Sequence, residues 1–184
     1  MAEIAYLVIG GVLWNNIVLT NLLGLFPFFG DHPDSVADNA VLGLVTTAVI
    51  AVAVISAHFV RILILIPADL LFLEHLVMML LVLAITMLAD RLWRTRLGYI
   101  LPRVFMNGAA FGLVLLQLDN WNGLISTLAS SIGFGLGITF LLIVVAAITI
   151  RPESRLVPPW LQGMPLQLMT LGMIALALTG FAGI

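Results

Sequence analysis

The chain contains no cysteine and no lysine, and its basic residues are seven arginines. Without cysteine there are no disulfides, no thiolate metal ligands and no thiol catalysis, and the cysteine count gives no guide to redox compartment. Charge of either sign is scarce: 9% of residues are charged and the net charge is -2. Nucleic-acid binding calls for concentrated positive charge, so that class is excluded. Phosphate-binding loops, catalytic triads and zincin helices are also missing. What the chain has in excess is apolar surface, at 62% hydrophobic residues and a mean hydropathy of +1.23. Too little polar sequence remains to coat a water-soluble globule, so lipid is the expected solvent. A length of 184 residues holds about six spans of ~20 apolar residues with short loops, and leaves no room for a large soluble domain.

The expected fold is all-α, a polytopic membrane protein of six transmembrane helices in one membrane domain, residues 1–184. The start, Met1-Ala2-Glu3-Ile4, is acidic where a signal peptide is basic, so the first apolar stretch is expected to be a retained span. That span is predicted over residues 4–23 and breaks at Gly24-Leu25-Phe26-Pro27, where proline removes a backbone donor. An acidic stretch with Asp31, Asp34 and Asp38 follows, then spans over 40–59 and 70–89. A fourth span over 97–118 is interrupted between Pro102 and Gly108, and the last two cover 124–150 and 164–184.

Arg91, Arg94, Arg96, Arg151 and Arg155 fall on one side of this layout and only Arg61 on the other, which places both termini outside. Each half, about 1–91 and 92–184, opens with an interrupted span. With three spans per half the two run in opposite senses, the pattern of an inverted repeat with a site at the midplane.

A few polar residues are costly in such an environment. Asn15, Asn16 and Asn107 need hydrogen-bond partners within the membrane, either as packing contacts between helices or as the lining of an ion path. Arg103 either reaches the headgroups with its long stem or stands as a cation beside a central cavity. His58, Asp69, Glu74 and His75 sit near span ends without metal-ligand spacing, so no metal site and no catalytic residue is expected. The remaining acids lie in or near loops and leave no carboxylate relay at the midplane. Gly133, Gly135 and Gly137 with Ser131 give the fifth span a small face for close helix packing, against a helix of this chain or of another subunit.

The ordered set Asn15-Asn16-Ile17-Val18-Leu19, Leu23-Gly24-Leu25-Phe26-Pro27-Phe28, Ile64-Leu65-Ile66-Pro67, Leu101-Pro102 with Asn107, and Gly180-Phe181-Ala182-Gly183 resembles the six-helix membrane subunits of Rnf and Na+-translocating Nqr complexes. The RnfA/NqrE type is more similar than the RnfE/NqrD type. The resemblance implies a bacterial inner-membrane subunit paired with a homologous subunit of inverted orientation, alongside other Rnf/Nqr-like membrane and redox subunits and lipid. It also implies a two-iron, two-sulfur cluster inside the membrane, to which each of the two paired subunits contributes two cysteines, one from each interrupted span. Here Phe26 and Gly108 stand at those two positions, and neither side chain can donate an electron pair to iron.

The expectation is therefore a subunit of a complex coupling electron transfer to Na+ or H+ translocation, non-catalytic by itself and without a cofactor of its own. It would act as scaffold or as part of the ion path, with Asn15, Asn16, Asn107 and Arg103 at the midplane. The alternatives are a stand-alone inverted-repeat transporter, whose sites sit at the repeat interface, and a purely structural anchor for redox subunits.

Overall fold

A computed structural model describes residues 2–13, 16–21, 35–97, 108–119, 123–149 and 157–180, and all regular structure among them is helical. In chain order the helices are α1 (Ala2–Val12), α2 (Ile17–Asn21), α3 (Val36–Val60), α4 (Glu74–Leu97), α5 (Ala109–Asp119), α6 (Leu124–Thr149) and α7 (Met164–Thr179). Among the described residues, three stretches are long and apolar enough to cross a bilayer: Val36–Leu65, Leu71–Ala89 and Leu124–Ile148. Met164–Leu178 is a shorter apolar helix.

α3 starts earlier than residue 40 because Ser35 caps it. Its Oγ accepts the Asp38 amide at 3.1 Å and donates to the Asp38 carboxylate at 2.8 Å, so two polar side chains replace water at the helix entrance. At its far end α3 runs on into a π-turn, Arg61–Leu65, where the Ile66 amide donates to Arg61 O at 3.0 Å. The wider turn keeps Arg61 half-buried and Leu65 fully buried on the face that carries Ala53 and Ala57. The link to α4 then turns through Asp69 with φ 55°, a left-handed conformation that aspartate tolerates better than most residues. α7 opens after Gly163 at φ 76°, with Pro165 in its first turn, where the missing amide costs no helical bond.

α6 forms the centre, packed against α1 on one side and α3 on another, while α4 and α5 close against α3 and α7 against α6. Leu42, Ile50, Ala53, Leu113, Ile138, Leu141 and Leu142 fill the space between them. The outside is covered with large apolar side chains, among them Leu63, Phe72, Met87, Met173 and Leu176. Water would make that surface untenable, whereas hydrocarbon makes it ordinary.

In lipid there is little hydrophobic gain from bringing helices together, so dispersion contacts at close range must do it, and small residues permit that approach. A side-chain carbon on Gly133 would lie 2.8 Å from the Val8 backbone, and one on Gly11 would lie 2.9 Å from the backbone of Gly133 and Phe134. Gly137 abuts Gly11 O and the Asn16 amide. Residue numbers rise together along this contact, so α1 and α6 run parallel. Across α3 the order reverses: Gly43 lies against Thr139, and Gly135 against Thr47, so α3 and α6 are antiparallel.

Apart from Thr127, whose Oγ1 is buried without a hydrogen-bond partner, the buried hydroxyls among the described residues are satisfied by their own helices. Thr46 donates to Leu42 O at 2.8 Å, Ser131 to Thr127 O at 2.6 Å, and Thr86 to Val82 O at 3.0 Å. Such back-bonding lets a polar side chain sit in an apolar interior without an unmet donor.

Candidate functional site

The first span is broken inside its expected range of 4–23, while the interruption expected at Gly24 to Pro27 lies outside the described residues. α1 ends at Val12 and α2 begins at Ile17. Asn16, completely buried, serves both broken ends. Its Nδ2 donates to Val12 O at 3.1 Å, and its Oδ1 accepts the Val18 amide at 3.1 Å. Its own carbonyl accepts from the Thr20 amide and the Thr20 hydroxyl, both at 2.9 Å. A broken helix leaves carbonyls at one end and amides at the other without partners, and one asparagine supplies a donor to the first and an acceptor to the second. Gly137 of α6 makes room for it, since a side-chain carbon there would sit 2.6 Å from Asn16 Nδ2.

Beside this break lies the α3–α6 crossing. Thr47 Oγ1 donates to Gly43 O and Thr139 Oγ1 to Gly135 O, each at 2.9 Å, and the two hydroxyl oxygens approach to 3.3 Å. Two protons serve these three contacts, so the shorter carbonyl bonds take them and the hydroxyl–hydroxyl approach is a packing contact. Thr47 and Thr139 are 92 residues apart, and Gly43 and Gly135 are separated by the same interval. Ile17 and Ala109, where α2 and α5 begin, are separated by it again.

The other expected site residues are divided. Gly108 is exposed at the entrance to α5, where its carbonyl accepts the Gly112 amide at 2.9 Å, and nothing lies within 4 Å of where its side chain would start. Asn15, Phe26, Arg103 and Asn107 lie outside the described residues. The iron-sulfur cluster that the resemblance implies does not fit the donors at hand. The chain has no thiol, Gly108 offers open space in place of a side chain, and no group of three His, Asp or Glu able to hold a metal occurs among the described residues.

The small face of α6 packs against α1 and α3 of this same chain. What composition did not single out was the matching Gly43–Thr47 pair on α3, although a Gly-x-x-x-Thr spacing repeated half a chain apart is present in the sequence. An ion pair was also missed. Glu74 is buried at the start of α4, with Oε1 3.2 Å from Arg61 Nε, a charge contact not aligned as a hydrogen bond. The π-turn faces Arg61 toward it, so the pair ties the end of α3 to the start of α4.

The family model for Rnf-Nqr subunits, described as membrane proteins, matches residues 4–184. The chain belongs to the Rnf-Nqr membrane subunit family. Among its relatives, the A subunit of the ion-translocating oxidoreductase complex of Actinobacillus pleuropneumoniae serotype 5b is 34% identical over 193 residues, covering 100% of this chain and 98% of that protein. The A subunit of the Na(+)-translocating ferredoxin:NAD(+) oxidoreductase complex of Acetobacterium woodii is 31% identical over 186 residues, covering 97% and 96%. The corresponding ion-translocating oxidoreductase subunit of Rhodobacter capsulatus is 34% identical over 192 residues, with 100% and 98% covered. Similarity at this level along the whole length makes the chain an RnfA/NqrE-type subunit.

Proposed function

We propose that this chain is a subunit of an Rnf/Nqr-like complex in the bacterial inner membrane that couples electron transfer to the movement of Na+ or H+, and that it carries no iron-sulfur cluster itself. The observation that carries this reading is the full-length similarity to the A subunits of ion-translocating oxidoreductase complexes, combined with the absence of every cysteine. The chain contributes scaffold and the lining of an ion path near Asn15, Asn16, Asn107 and Arg103. Electrons pass through carriers held by other subunits.

The proposed architecture is six spans in two inverted repeats, with both termini outside and a homologous subunit of opposite orientation as partner, in contact with lipid. The antiparallel α3–α6 crossing supports the repeat. Exchanging the two halves carries Gly43 onto Gly135 and Thr47 onto Thr139, so the contact maps onto itself. A two-fold axis in the membrane plane produces that relation between the second helices of two inverted halves.

The test is a deletion strain assayed in inverted membrane vesicles. Electron-transfer-driven cation uptake is lost without this chain and restored by the wild-type copy, and a tagged chain co-purifies with redox subunits and a homologous membrane subunit. Unchanged uptake, together with purification of the chain alone, would rule the proposal out.

A further inference from the structure

We propose that the C-terminal two turns of α4 bind the headgroups of anionic phospholipids. The apolar span ends at Ala89, yet the helix continues through Leu97. Eight more residues at about 1.5 Å each extend it ~12 Å. The headgroup layer on one side of a bilayer is roughly 5–8 Å thick, so Arg91, Trp93 and Arg94 fall at its depth.

These eight residues, Asp90-Arg91-Leu92-Trp93-Arg94-Thr95-Arg96-Leu97, hold three of the chain's seven arginines against one acid. Arg91 and Arg94, three positions apart, share one side of the helix. Arg96, five positions beyond Arg91, lies on another. Arg96 lies ~10 Å past Ala89, just above the layer, at a distance from which a long arginine stem can reach back to it, and charge on more than one side of the helix suits a surrounding layer of anions better than an acidic protein face applied from one side. Guanidinium groups engage phosphate oxygens in pairs, and tryptophan is favoured at the same depth. Lipid also has access: only 22% of the Leu71–Ala89 window is buried within the chain, and Arg91 is exposed.

The test uses the full chain in its membrane complex, reconstituted in nanodiscs, and subtracts the signal of the same complex carrying Trp93→Phe, so that the difference reports on Trp93 alone. Its fluorescence quenching by brominated phosphatidylglycerol is compared with that by brominated phosphatidylcholine at equal mole fraction. The expected result is stronger quenching by the anionic lipid, with a local preference on the order of fivefold for each arginine engaged. High salt and the triple variant Arg91→Gln, Arg94→Gln, Arg96→Gln should both abolish the preference.

The triple Arg→Lys variant preserves charge and topology signals, and should keep most of the preference even if the Gln variant fails to assemble. Equal quenching by the two lipids in the wild type would overturn the proposal. So would displacement of the preference by soluble glycerol phosphate, which would point to a soluble anion site, or shielding of Trp93 from both lipids, which would point to a protein partner on the tail.

Discussion

α6 and α4 are nearly equal in length, at 26 and 24 residues, and have opposite surroundings. The apolar window of α6 is 56% buried within the chain, against 22% for the span leading into α4. α6 carries Gly133, Gly135 and Gly137, each in contact with a neighbouring helix, whereas α4 has no glycine and offers Met78 and Val82 to the core. Apolar character is common to both and decides nothing. What separates centre from rim is backbone accessibility, because helices in lipid gain most where their axes come close.

The largest test of that contrast replaces Gly43 with Leu. Its side chain would overlap Thr139 backbone and side-chain atoms at 2.7 Å, and overpacking a rigid contact costs about 1–3 kcal/mol or more. Thermal unfolding in detergent should show a loss of at least that size, while Gly172→Leu on the open face of α7 should change little. Equal losses at the two positions would break the distinction between centre and rim.

The next effect probes how the rim is fastened. Removing one partner of a fully buried ion pair costs about 3–5 kcal/mol. With side chains 23% and 12% exposed, Glu74→Ala should lose roughly half of that. A double-mutant cycle with Arg61→Ala should return a coupling, and a zero coupling would remove the pair from the account.

Asn16→Leu should cost about 1–2 kcal/mol, since it removes a cap from each end of the break and forces bulk against Gly137. Hydrogen exchange at the Val18 amide would read the local part of that loss, which should exceed any change in α4. The smallest effect belongs to Thr47→Val. Its hydroxyl bond is to its own helix, so a change of about 0.6 kcal/mol or less is expected in the same unfolding assay.

Lipid as solvent, the helical class and the small face of α6 were all legible in the residues, because they follow from composition and spacing. The partner of that face was not, because Gly-x-x-x-Thr on α3 is two residues in five and gains meaning only when its image on α6 lies opposite. The break at Asn16 was not legible, because asparagine interrupts a helix only where burial makes its side chain serve the backbone, and the interruption expected at Pro27 lies outside the described residues. The Arg61–Glu74 pair depends on a π-turn that adds no residue-type signal of its own. At the site, composition alone shows that a chain without thiols cannot supply a thiolate ligand, whereas the assignment of positions 26 and 108 rests on the family resemblance, and Phe26 lies outside the described residues.

The central claim is that this subunit keeps the family's scaffold and leaves the metal to others. It is tested most directly by high-resolution density for the intact complex around residues 26 and 108. The account predicts no iron within bonding distance of any atom of this chain. An iron centre bonded to it at either position would contradict the claim.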